Sequence, residues 1–203
     1  MLTIQELEES EALQTIVIPL IVPTDDEVEN IKDLDLSKSA LNACYSKPIH
    51  NKKGELQSFF EVEIKFEGEH NLPPKEEWFY VFTDGGDGFK ARFVGKKTKR
   101  LSAFEDKEII GSWIKERLMN LEIIPEFKFV IQDHFKEGVI TREMLEEYGG
   151  DKLILKKTTK FKKDENKKRR AVWLFSFPSK NYSNKELSEM GNRVFFLPKS
   201  AWK

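Results

Sequence analysis

VFTDGGDGFKARFVGKKTKR, residues 81–100, passes from an apolar strand through five turn-forming residues and out into a run of bases. Trp78–Thr83 reads as a strand, Asp84–Gly88 as a glycine-permitted turn and Phe89–Val94 as the returning strand. Side chains alternate across a strand, so Lys90 and Arg92 leave one face while Phe89, Ala91 and Phe93 leave the other. Lys96, Lys97, Lys99 and Arg100 then crowd four bases into five positions. A two-stranded ribbon of this kind fits the major groove of a duplex, where guanidinium and ammonium groups can bond guanine and nearby lysines neutralise phosphates. The alternative is a solvated hairpin whose lysines protect a sheet edge.

Working outward, Ser58–Phe66 (SFFEVEIKF) alternates apolar and charged residues as a half-buried strand does. Thr15–Val22 is apolar and β-branched, with Pro19 pointing to an edge position. Leu41–Gln57 has little periodicity and reads as a long connecting arm. Lys152–Lys157 and Ala171–Phe177 form a second hairpin around KKTTKFKKDENKKRR, and Val194–Leu197 reads as a last short strand. Two helices interrupt the strands. Asp106–Leu121 carries Ile109, Ile110, Trp113, Ile114, Leu118 and Leu121 at helical spacing, with Asp106 as cap. Thr141–Tyr148 is capped by Thr141 and stopped at Gly149-Gly150. Residues 1–13 read as a short exposed helix or frayed leader, and Thr24–Ala40 as loop or one helical turn. The expected class is mainly β with two or more helices, an open β-barrel.

At 203 residues and 39% apolar, the chain can bury one sizeable core. A single cysteine, Cys44, excludes an internal disulfide framework and fits a reducing compartment. No signal-peptide order is present at the N-terminus, and the longest apolar run, Ile16–Pro23, is too short to span a bilayer, so a cytoplasmic protein is expected. The formal net charge of −1 conceals a division. Residues 1–37 hold ten acids against Lys32 alone, leaving 33 bases and 25 acids, a net of +8, in the other 166. That segregation is the electrostatic footprint of a domain that meets polyanions, or of an acidic leader on a lysine-rich protein.

Three constellations could carry catalysis. His50-Asn51-Lys52 and His134-Phe135-Lys136 both begin an H-x-K-x4-D nuclease signature, but Gln57 and Thr141 occupy the aspartate positions. Glu63-Ile64-Lys65 matches half of a Mg²⁺-dependent nuclease site, with Asp33 or Asp35 as the upstream carboxylate. Glu61, Glu63 and Lys65 nevertheless share the face of an alternating strand where charges normally meet water. The DGGDG glycines precede a strand and not a helix, so no phosphate loop is formed. No zinc spacing or nucleophile elbow is present. Catalytic residues, metal ligands and cofactors are therefore expected to number none.

SFFEVEI (58–64), residues 72–118, VITREMLEEYGGDKLILKKT (139–158) and VWLFSF (172–177) together resemble, in order and spacing, the B3-like DNA-recognition domain of restriction endonucleases. The similarity is greatest to the C-terminal domains that accompany phospholipase-D-type nucleases. It implies a seven-stranded open pseudobarrel that grips duplex DNA with two arms in the major groove. The C-arm would fall on Asp84–Arg100, offering Asp87, Lys90, Arg92, Lys96, Lys97, Lys99 and Arg100. The N-arm would fall on LNACYSKP (41–48), offering Asn42, Tyr45, Ser46 and Lys47, followed by His50, Asn51, Lys52 and Lys53. The N-arm matches only at Leu41-Asn42, 125–137 is an insertion relative to the pattern, and 178–203 has no counterpart. Residues 1–37 are expected to form an acidic leader with the first strand, and 38–203 the DNA-binding domain, compact as a whole. The implied partners are double-stranded DNA and a nuclease domain in the same full-length chain or a separate subunit, with no membrane. Rival readings are a modified-base reader using Phe59, Phe60, Trp78 and Tyr80, a Glu63/Lys65 nuclease, and a protein-interaction domain with an acidic partner.

Overall fold

The computed structural model describes residues 2–46, 64–66, 68–95, 100–104, 108–125 and 133–191. Among these, seven strands form one open mixed sheet: β1 (Ala12–Pro19), β2 (Ile64–Lys65), β3 (Phe79–Thr83), β4 (Gly88–Val94), β5 (Arg100–Ala103), β6 (Lys152–Lys163) and β7 (Arg169–Ser176). Their spatial order is β1-β6-β7-β3-β4-β5-β2, and every neighbouring pair is antiparallel except β3 with β7. The expected seven-stranded open β architecture is therefore present. β1 lies at one margin, where Pro19, opposite Lys152, removes no ladder donor that the sheet requires.

Alternation dictates which face is the core. Phe79 and Val81 on β3, Phe89, Ala91 and Phe93 on β4, Leu101 and Ala103 on β5, and Trp173 and Phe175 on β7 all point inward. They meet Ile110, Trp113, Ile114 and Leu118 of helix α3, which spans Ile109–Asn120. Trp173 is the hub, its ring 5.1 Å from Phe79 and 5.6 Å from Phe93. The opposite face carries a smaller cluster of Leu7, Tyr80, Val172 and Leu174. Leu7 comes from helix α1 (Ile4–Glu8), whose first turn is closed by reciprocal Thr3–Glu6 bonds. The N-terminal segment is therefore neither frayed nor exposed throughout. Its Leu7 is fully buried, and β1 behind it pairs with β6 in the same sheet.

Other boundaries also move. α2 occupies Asp25–Asn30 with a Thr24–Glu27 capping box. α3 begins after Glu108, which makes no side-chain cap, and the expected cap Asp106 lies outside the described residues. α4 spans Arg142–Tyr148, with Thr141 accepting from the Met144 N–H and Gly149 in the left-handed conformation (φ 81°) that ends it. A further helix, α5 (Asn184–Gly191), follows β7, and Val194–Leu197 lies outside the described residues. β6 is twice its expected length. Its charged second half is carried by pairing of Phe161, Lys162 and Lys163 with Ala171, Arg170 and Arg169 after a bulge.

Candidate nucleic-acid interface

The two ends of the sheet differ in charge, and the strand registers say which residues share an end. β4 starts at the Asp84–Asp87 turn and finishes at Val94, which pairs with Arg100 at the start of β5. Arg100 in turn faces Lys65 of β2. Because β7 runs parallel to β3, the β6–β7 turn lies at this same end, beyond Trp78. A 2.9 Å ion pair from Lys90 Nζ to Glu165 Oε1 ties that turn across β3 to β4. The end thus gathers Lys65, Lys90, Arg92, Arg100, Lys162, Lys163 and Lys167–Arg170. Segment 96–99, with Lys96, Lys97 and Lys99, joins β4 to β5 and lies outside the described residues.

The DGGD turn belongs to the other end, the length of β4 away, about 20 Å at the usual rise per residue. Asp84 is a structural anchor there. Its carboxylate takes both arms of the Arg117 fork, at 2.5 and 3.1 Å, and the Phe177 N–H at 2.9 Å. Arg117 also donates to the Phe177 carbonyl, as does the Tyr148 hydroxyl. Burial disfavours the Arg117 charge, but the Asp84 bond and charge outweigh it and raise its pKa further. Asp87 sits exposed in the same turn, its N–H on Thr83 Oγ1, while nearby Glu116 is pushed up by burial and then by Asp87. Asp87 thus sits at the opposite end of β4 from Arg100.

On the outer face of β4, Lys90 Nζ lies 5.4 Å from the Trp78 ring and the Arg92 guanidinium lies 4.6 Å over Phe104. Arg92 Nε is buried and has no hydrogen-bond partner among the described residues. The indole nitrogens of the core residues Trp113 and Trp173 share that state. Trp78 and Tyr80 meet edge to face at 5.2 Å, and cations cover them: Arg170 over Trp78 at 4.4 Å and Lys162 over Tyr80 at 4.6 Å. They are an occupied surface and not an open cage for a base; Phe59 and Phe60 lie outside the described residues.

The N-arm residues divide. Asn42 is fully buried, its Nδ2 donating to the Ile140 carbonyl at 2.6 Å and its Oδ1 accepting from the Ile140 N–H at 2.8 Å. Here the expectation of a groove-facing side chain gives way to a core staple, because both amide groups are spent on the backbone of the segment before α4. Tyr45 is half-buried and donates to Asp133 Oδ2 at 2.5 Å, and burial followed by Asp133 pushes its pKa far up. Ser46 closes the 3-10 turn Ala43–Ser46. Lys47, His50, Asn51, Lys52 and Lys53 lie outside the described residues.

No group of acidic, histidine or cysteine side chains that could hold a metal ion occurs among the described residues. His134 is exposed on the loop before α4, Lys65 is exposed on β2, and Glu63 lies outside the described residues. No described helix is long and apolar enough to cross a membrane.

An open mixed β-sheet, closed by α3 on one face and carrying its bases at one end, defines a β-barrel-like nucleic-acid-binding module. A family model described as the NgoFVII C-terminal B3-like DNA-binding domain matches residues 28–159. That is well over half of the chain, and the chain belongs to this family of B3-like DNA-binding domains. No curated protein matches it.

Proposed function

We propose that this chain is the targeting module of a restriction endonuclease, reading a short site in double-stranded DNA through the major groove. The family match over residues 28–159 carries the reading, and the gathering of bases at one end of the sheet supports it. In this assignment Arg92 and Lys90, presented by β4, and the segment from Lys96 to Arg100 approach the duplex. The residues from Tyr45 to Lys53 form the second arm. Lysines fix the phosphate register, and bidentate side chains discriminate bases by about 1–3 kcal/mol each. Cleavage would come from a nuclease domain in the same full-length chain or another subunit, and the setting would be the bacterial cytoplasm.

Selection from a pool of randomised duplexes, at near-physiological salt and without metal, tests the reading. One short enriched motif is the expected result. Binding without enrichment would reduce the module to a non-specific or modified-base binder, and no binding to any duplex would end the proposal.

A further inference from the structure

We infer that the β6–β7 hairpin tip is a separate phosphate clamp, a third contact that grips duplex backbone irrespective of sequence. The inference rests on the DNA-binding reading above, and concerns a segment that neither arm contains. Six bases fall within residues 162–170, and the fold divides them into two sets. Lys162 lies 4.6 Å over Tyr80 and Arg170 4.4 Å over Trp78, which ties the hairpin to β3 and the residue before it, while Arg169 lies 4.5 Å over Phe161 within the hairpin, so these three cations are spent on ring faces. The ammonium groups of Lys163, Lys167 and Lys168 are exposed and have no partner among the described residues.

The two acids of the tip are already committed. Asp164 is nearly buried and bonds Arg170 Nε and the N–H groups of Asn166 and Lys168, each at 2.9 Å. Glu165 is bound to Lys90 on β4. Neither acid is thereby left to neutralise the three outward lysines. The same bonds make the tip rigid: Lys167 N–H reaches the Asp164 carbonyl and Asp164 N–H reaches the Lys168 carbonyl, both at 2.9 Å. Lys167 itself has φ 62°, a conformation that glycine adopts without strain and lysine does not. A cation held at a position suited to glycine, on a tip tied to Lys90 at the same end of the sheet as Arg100, is consistent with selection for charge there. Its partner is a polyanion of regular spacing, the phosphate backbone flanking the site that the arms contact.

The test uses the full chain with Lys163→Ala, Lys167→Gly and Lys168→Ala combined, and Lys167→Gly alone. Affinity is measured against salt for the duplex enriched from the random pool and for a scrambled duplex of equal length. The triple variant is expected to weaken both duplexes by the same factor and to lower the log–log salt slope by about 2–3, near one per lost contact. Lys167→Gly should weaken both duplexes while leaving the thermal midpoint unchanged or higher, which a merely structural lysine would not do. Unchanged affinity and slope with a wild-type protein that binds would overturn the clamp alone. A loss confined to the enriched duplex would replace it by a base reader. A wild-type protein that binds no duplex would overturn the clamp together with the function on which it rests.

Discussion

Replacing Asp84 by alanine removes the anchor at the acidic end of the sheet. The side chains of Asp84 and Arg117 are only 13% and 7% exposed, so the pair is screened little by solvent. The substitution deletes both acceptors of the guanidinium fork and the acceptor of the Phe177 N–H, leaving Arg117 buried with the Phe177 carbonyl. Charge-assisted bonds contribute about 1.5–3 kcal/mol each, and stranding one member of a buried pair costs about 3–5 kcal/mol in all. With a urea slope of roughly 2–3 kcal/mol/M, the midpoint should fall by about 1–2 M. Adding Arg117→Met removes the stranded charge, so the double variant should be no less stable than Asp84→Ala alone. Because the turn is the length of β4 from Arg100, duplex binding by the folded variant should be unchanged well below its midpoint. Equilibrium urea unfolding followed by tryptophan fluorescence, with binding measured on the same samples, reads both effects. A loss under about 1 kcal/mol would show that the ion pair does not hold the turn. A folded variant without sequence preference would put the DGGD turn back in the groove.

Arg92→Ala should flatten preference at one base pair by about 1–3 kcal/mol, whereas Lys97→Ala should weaken all duplexes alike and lower the salt slope by about 1. Equal effects of the two on every sequence would remove direct readout from Arg92. Asn42→Ala leaves the buried N–H and carbonyl of Ile140 without partners and should cost about 2–4 kcal/mol in thermal or urea unfolding without altering base preference. A stable variant with altered preference would return Asn42 to the arm. Asp164 is disfavoured by burial, but Arg170 and the N–H groups of Lys168 and Asn166 prevail and hold its carboxyl below the ordinary value. Its contribution to the tip is therefore complete above about pH 3.9 and is lost as pH falls through the lowered folded value. Amide NMR of Asn166 and Lys168 should follow that transition while Trp173 stays protected; tip amides titrating above the ordinary aspartate range would contradict it.

The strands and helices that could be read locally were those whose burial pattern is periodic along the chain. The β3–β4 hairpin, the body of α3 and α4 with its Thr141 cap and Gly149 stop all follow from alternation, helical spacing and turn chemistry. β5 was hidden because Arg100-Leu101-Ser102-Ala103 sits at the end of a base run, so its inward Leu101 and Ala103 made too short an alternation to stand out. The second half of β6 was hidden for the same reason. Its charged residues gain strand structure only from β7, and its buried Thr158 is satisfied by the Val172 carbonyl.

Charge and hydropathy along the chain, together with the order of its motifs, determined the mainly β class, the family resemblance and the presence of bases suited to DNA. Those properties are local, since a strand's alternation and a lysine's charge need no partner to be recognised. Only the tertiary structure decided that Asn42 is a staple for Ile140 and that the β6–β7 tip lies at the same end of the sheet as Arg100. The position of the tip depends on the parallel pairing of β3 with β7, between residues some ninety positions apart. No periodicity within either strand specifies that neighbour; it is selected when both bury their inward aromatic residues in one core.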